Sequence, residues 1–469
     1  MVGIETLLEA PTLASMSKTA ASGADPKLAN PLLTGPILPQ LVRFALPNIG
    51  AMTMGSIAAI AETAYVGRLG VPALAGMAIV FPIIMLQMML SAGAMGGGVS
   101  SAISRALGAG DKARADALAT HALWIGLAAG LTVTLTMLVF GPALFRLIGG
   151  EGPALRQATA FASVAFLGSA GVWLTNLLGA VLRGAGNMRV PSATIFVISA
   201  LQVVVGGVLG LGLGPVPQFG MPGVATGQVV APACGALFLF FYLRSGRAAV
   251  RLSPATTPLS GKLFTDILKV GAMACVSPLQ TVLTIVIVNR LVAGFGPTAL
   301  AGYGIGTRLE FLLNPLAFAI GVASVPLVGN AVGAGMVARA RRAAWMAAAL
   351  AGGMLGLVGI GLALAPELWA RMFTDDADTL AAAGLYFRWA GPGFGFFGFG
   401  MSLFFSSMAA GRVGGIVLAG TLRLAVVALG GIWLASISAP IWALFGLLGL
   451  GMLAYGLASV VAVRRSRWG

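Results

Sequence analysis

The chain has 469 residues, 58% of them hydrophobic and only 9% charged, with a mean hydropathy of +0.97. A soluble globular domain carries about 25% charged residues, so the composition excludes one and defines an integral membrane protein. The net charge of +15 does not point to nucleic acid, because the cations are scattered through short loops instead of gathering on one patch.

Residues 1–35 are rich in Ser, Thr, Ala and Pro and lack a basic segment followed by an apolar one. They read as a disordered cytoplasmic tail, not a cleaved signal. Twelve apolar segments follow, near 38–66, 74–104, 117–143, 158–182, 190–213, 222–243, 267–293, 299–330, 343–365, 380–408, 413–436 and 440–462. Each is apolar over about 20 residues without alternation, which selects membrane-spanning helices over an outer-membrane barrel. The 68 glycines suit packed transmembrane helices, where small residues let backbones approach closely. Cys234 and Cys275 sit in apolar segments and form no disulfide framework.

Orientation follows from the cations. Arg68, Arg146, Arg156 and Arg371 fall on one side of the twelve spans, and Arg290, Arg308, Arg388 and Arg423 fall within them. All the others of the 28 Lys and Arg lie on the opposite side. The bias survives every alternate loop and predicts both termini in the cytoplasm.

The chain repeats itself at half-length. GRLGVPALAGMAI (67–79) recurs as AGFGPTALAGYGI (293–305), and ALGAGDKARADAL (106–118) as AVGAGMVARARRA (331–343). RGAGNMR (183–189) has a weaker echo in MAAGRVG (408–414). Six helices per copy keep the two halves in the same orientation, so they are parallel repeats. The expected fold is an all-α membrane protein with two pseudo-symmetric six-helix lobes, over 36–243 and 267–463. A basic loop, 244–266, joins the lobes, and a basic C-terminus, 464–469, ends the chain.

Two acids stand inside apolar spans, Glu62 in the first and Glu310 in the eighth. An ionisable group at membrane depth costs roughly 2.5–3.5 kcal/mol on insertion scales, so it faces protein and marks function. Glu62 lies about one and a half turns before Gly67, where an interfacial, water-exposed glutamate is the plainer alternative. Glu310 lies about eleven residues into its span, or ~16 Å, too deep for a solvated side chain. Asn314, four residues on, shares its face. Both acids are expected to couple the driving ion, and for Glu310 a structural ion pair with Arg308, Arg388 or Arg423 is the alternative. Of the intramembrane amides Asn48, Gln87, Asn176, Gln202, Gln228, Gln280 and Asn289, three are expected to line a cavity: Asn48, Asn176 and Gln280. Arg308 joins them as a cavity residue. Pro47, Pro82, Pro278 and Pro315 interrupt helices, with Pro47 and Pro315 the candidate hinges. The run FGFFGFGMSLFF (394–405) offers an aromatic wall for flat cations or plain packing. His121, the only histidine, lies near a helix end and is no proton relay.

The ordered set in two copies (an acid-bearing first helix, VGRLG, ALAGMAI, LGAGD, LRGAGNMRVPS, then RLEFLLNPLAFAIG and LVGNAVGAG) resembles the multidrug and toxic compound extrusion (MATE) family, closest to its DinF-like branch. The resemblance spans about Leu38 to Val463. It implies a V-shaped pair of lobes that exports cationic or amphipathic organic compounds in exchange for H⁺ or Na⁺, with no cofactor. It further implies a monomer in the bacterial inner membrane, with the lipid bilayer and small organic cations as its partners. The family's first-helix acid falls on Glu62. Its sodium-coupled members carry an acid midway along helix seven, where this chain has Gln280 and Thr281, which favours protons. A lipid-linked precursor flippase is the alternative, although the intramembrane arginines all belong to one lobe and form no two-sided diphosphate clamp. An enzyme is disfavoured, since no Ser-His-Asp set, metal cluster or P-loop is present.

Overall fold

A computed structural model of the chain describes residues 30–468. Twelve crossings run in chain order: α1 Ile37–Arg68, α2 Val71–Gly108, α3 Lys112–Leu147, α4 Gly152–Gly184, α5 Arg189–Leu211 and α6 Gly220–Arg244. Then come α7 Gly261–Ala293, α8 Pro297–Gly333, α9 Val337–Leu364, α10, α11 Gly414–Ser436 and α12 Ile441–Arg465. Crossing α10 is built of two helices, Ala377–Ala390 and Gly393–Ala409. Asp376 caps its start, accepting from the Thr379 amide and hydroxyl at 2.9 and 2.6 Å, and these bonds hold its carboxyl below the usual carboxylate range.

Of the tail expected to be disordered over 1–35, residues 1–29 fall outside the described residues. The remainder is ordered: Pro31–Thr34 forms a single turn, capped by the Asn30 side chain, with Leu33 buried. The segment between lobes is also shorter than expected, because α7 starts at Gly261.

The internal repeat is visible in the turns. Gly110 and Gly335 close the α2–α3 and α8–α9 turns at φ +81° and +78°. Gly186 and Gly411 do the same after α4 and α10, at +81° and +73°. Both pairs are 225 residues apart, and both need the left-handed backbone that only glycine adopts without cost. Helix irregularities recur at the same spacing: a short tight turn, Phe166–Gly168, in α4 and the Gly391–Pro392 break in α10. Two more stand in α2, where Met89–Met95 forms a widened π-helical stretch, and in α7 at Cys275. The candidate hinges behave differently, since α1 runs helical through Pro47 and α8 through Pro315.

Each lobe packs around aromatic residues: Phe145, Phe161 and Phe166 in the first, Tyr386, Phe387 and Phe445 in the second, all essentially inaccessible. Helices meet through small residues, as membrane helices do when lipid removes any hydrophobic drive between them. On α9, Ala344, Ala347, Ala348 and Ala351 are fully buried, and a Cβ on Gly359 would overlap the Gly391 carbonyl of α10.

The lobes join at the end where the cations collect. A Cβ on Gly108 would overlap the Asn330 carbonyl oxygen, and one on Gly333 would overlap the Arg105 carbonyl oxygen. These four positions are the same two sites in the two repeats, exchanged, so the C-terminal halves of α2 and α8 cross on a pseudo-two-fold axis. Arg105 donates to the Ala409 carbonyl at 3.2 Å, and Asn30 to the Asn330 side chain at 3.3 Å. Arg339 of α9 donates to the Leu32 and Gly35 carbonyls, the former at 3.0 Å. Arg114 of α3 pairs with Asp266 of α7. Among the described residues, every hydrogen bond between the lobes lies in this half of the molecule.

Candidate functional site

Glu62 sits in the last third of α1, away from the joined end, and is buried at 3% exposure. The interfacial alternative for Glu62 is therefore wrong: its side chain turns into the first lobe. Gln202 of α5 donates to one carboxylate oxygen at 2.8 Å, and Gln228 of α6 donates to the other at 3.0 Å. One acid thereby ties three helices. An amide N–H serves only a charged or otherwise accepting oxygen. Protonation adds an O–H donor to one oxygen and weakens it as an acceptor, so the bond from the amide facing that oxygen weakens.

The amides singled out in the sequence lie elsewhere. Asn48 accepts from Ser192 of α5 at 3.0 Å, and Asn176 of α4 donates to Ser91 of α2 at 2.8 Å. Gln280 of α7 donates to Thr421 of α11 at 2.7 Å. All three join helices within a lobe, and none touches Glu62. The two amides that do, Gln202 and Gln228, were not among the three selected. The bond of Asn176 has a structural consequence: Ser91 lies inside the widened stretch of α2, and its hydroxyl donates to the Gln87 carbonyl at 2.8 Å. A polar side chain on α4 thus supports the irregular turn.

Glu310 and Asn314 share a face of α8 and line one small cavity of about 10 Å³ with Phe394 and Phe397 of α10 and Arg423 of α11. The Tyr386 hydroxyl of α10 donates to the Glu310 carboxylate. No ion pair reaches Glu310, since the only two among the described residues are Arg114–Asp266 and Arg371–Glu367. The structural pair considered for Glu310 is thus not formed in this state. Arg308 does not line this cavity: it is exposed, with its guanidinium 4.9 Å from the Phe373 ring centre. Side chains two apart on a helix point apart, so Arg308 cannot follow Glu310 inward. Arg388 is exposed as well. The aromatic run divides: Phe394 and Phe397 reach the cavity, Phe404 and Phe405 are core, and Phe396 faces outward. His121 is buried and accepts from the Ser260 amide at 2.9 Å, fastening the inter-lobe segment to α3.

The two acids are not repeat partners. At the spacing of 226 residues, Glu62 corresponds to Val288, and Glu310 to the Ile84 region of α2. The lobes share a frame and carry different polar interiors.

Two six-helix lobes in parallel repeat, joined at one end of the membrane span, with one buried acid, Glu62, and one partly buried acid, Glu310, within their helices, define a secondary transporter driven by an ion gradient. The profile described as MatE matches residues 47–208 and 272–430, and the chain belongs to that family. It is a transporter, not an enzyme. Among curated relatives, the FAD transporter of Shewanella oneidensis is 25% identical over 361 residues, covering 76% of this chain and 78% of that protein. A probable multidrug resistance protein, NorM, of Thermotoga maritima is 26% identical over 346 residues, covering 73% of each. Among solved structures, an outward-facing multidrug resistance MATE transporter superposes with a TM-score of 0.81 at 25% identity, over 92% of this chain and 95% of that one. A Pyrococcus furiosus transporter of the MOP superfamily gives 0.85 at 23% identity, over 93% and 97%.

Proposed function

We propose that this protein exports cationic or amphipathic organic compounds from a bacterial cytoplasm in exchange for protons, by alternating access, acting as a monomer in the inner membrane. The observation that carries the reading is Glu62, a buried acid whose two oxygens engage amides from two other helices. A proton and an organic cation would compete for this one carboxylate. Protonation from outside would release the substrate and weaken the bonds from Gln202 and Gln228, passing the event to α5 and α6. The cation bias supports a cytoplasmic position for both termini and for the joined ends of α2 and α8. The state described here is then the one closed toward the cytoplasm. The named relatives, an FAD transporter and multidrug proteins, support small organic molecules as substrates. The lack of an acid at Gln280 and Thr281 favours H⁺ over Na⁺. Asn48, Asn176, Gln280 and Asn314 then serve the lobes' packing and polarity, with Pro47 and Pro315 as flexing points.

The test is efflux of a fluorescent organic cation from proteoliposomes under an imposed pH gradient or an imposed Na⁺ gradient. Wild type should export under the pH gradient, and Glu62→Gln should lose at least tenfold of the rate. Export by wild type under the Na⁺ gradient alone would sink proton coupling. Export retained in full by Glu62→Gln would remove Glu62 from the mechanism.

A further inference from the structure

Arg423 stands near the middle of α11, a 23-residue crossing. A guanidinium at that depth is costly unless it faces protein and finds a partner. Among the described residues Arg423 forms neither an ion pair nor a hydrogen bond. It rests on the face of Phe397, 4.9 Å from the ring centre, a cation–π contact. It also lines the cavity that holds Glu310, whose volume of about 10 Å³ admits roughly one water. The carboxyl group and the guanidinium thus line one water-sized cavity with no ion pair or hydrogen bond between them. Each has a substitute partner, the Tyr386 hydroxyl for the carboxyl and the Phe397 ring for the guanidinium.

We propose that Arg423 is a tethered counter-cation for Glu310. The guanidinium crosses the gap to pair with the carboxylate when Glu310 is deprotonated, and it returns to Phe397 when Glu310 is protonated. The second lobe then neutralises its own acid, drawing α8 and α11 together, and the organic cation competes with the proton at Glu62 alone. This inference rests on the proton-coupled reading of the transporter. The other titratable side chains near the pair are phenols: Tyr386 of α10, Tyr303 of α8, whose ring centre is 5.6 Å from that of Tyr386, and Tyr455 of α12, whose ring centre is 6.0 Å from that of Phe397. Arg308 and Arg388 are exposed and take no part.

The experiment is an infrared pH titration of the purified full chain in lipid, following the protonated-carboxyl band that disappears in Glu310→Gln. Arg423→Gln removes the charge that favours the carboxylate, so the band should persist to higher pH, by about one unit or a tenfold gain in proton affinity. Phe397→Leu removes the resting place of the guanidinium in the protonated state, so the midpoint should fall. Arg423→Lys, which keeps the charge, should stay near wild type and serves if Arg423→Gln does not fold. A midpoint unmoved by both Arg423→Gln and Phe397→Leu overturns the proposal. In proteoliposomes, Arg423→Gln should shift the pH profile of dye efflux in the wild-type background and leave it unchanged in Glu310→Gln. Additive effects in the double variant also overturn it. Absence of dye efflux from wild type would defeat the exporter reading while leaving the infrared titration interpretable.

Discussion

Gln228 and Gln202 each supply a single hydrogen to a buried carboxylate, and a hydrogen bond to a charged group contributes about 1.5–3 kcal/mol. Gln228→Leu removes the donor to one oxygen of Glu62 without removing the acid. The donor favours the charged form, so its loss raises the proton affinity of Glu62. The pH at which efflux is half-maximal should rise by about one unit, with the maximal rate less affected than in Glu62→Gln. Efflux against pH in proteoliposomes reads this directly, and an unmoved profile would show that Gln228 only packs. Glu62 itself was legible in the sequence, because a lone acid in an apolar span has few explanations. Its partners were not. Any amide in a membrane helix bonds to some neighbour, and only the rotation of α5 and α6 decides that Gln202 and Gln228, not Asn48 or Asn176, meet the acid. Arg423 was equally hidden, since three arginines were open to Glu310 until helix rotation sent Arg308 and Arg388 outward.

Hydropathy placed all twelve crossings because spanning length and apolar content leave a chain in lipid no alternative to helices. Where those helices break was less legible. The prolines at 47 and 315 were natural candidates, yet both helices continue through them. The widened stretch Met89–Met95 contains no proline and is supported by Asn176 from another helix, a tertiary cause invisible in local sequence. The end of α2 was more readable, because LGAG occurs there and VGAG at the matching place in α8. At that crossing a Cβ on Gly108 would strike backbone of Asn330, which cannot give way as a side chain could. Gly108→Leu should therefore hold the ends of α2 and α8 apart, leave each lobe folded, and reduce efflux more than tenfold. Cysteine accessibility checks it: Ser101→Cys, buried at the crossing, should label readily from the cation-rich side only in the Gly108→Leu background. Unchanged labelling would mean that the crossing closes despite the added side chain.

Over the whole molecule, the joined end is made of two kinds of contact. The crossing of α2 and α8 is symmetric and sets backbone against backbone at Gly108 and Gly333, with Arg105 bonding to the Ala409 carbonyl beside it. The contacts around it are asymmetric: Arg339 of the second lobe grips the carbonyls of Leu32 and Gly35, which lead into α1. These exist only while the lobes are together at this end, so they bias the equilibrium toward the closed arrangement without contributing to either lobe alone. The bonds are partly exposed, and together they should favour closure by about 1 kcal/mol, near fivefold in population. Arg339→Ala should raise the fraction open at this end by that factor. Spin labels at Lys112→Cys and Arg412→Cys, exposed positions on opposite lobes beside the crossing, would report it as a longer-distance population in pulsed electron resonance. An unchanged distribution would mean that the helix crossing alone holds the end shut, and that the turn at Pro31–Thr34 is a passenger on it.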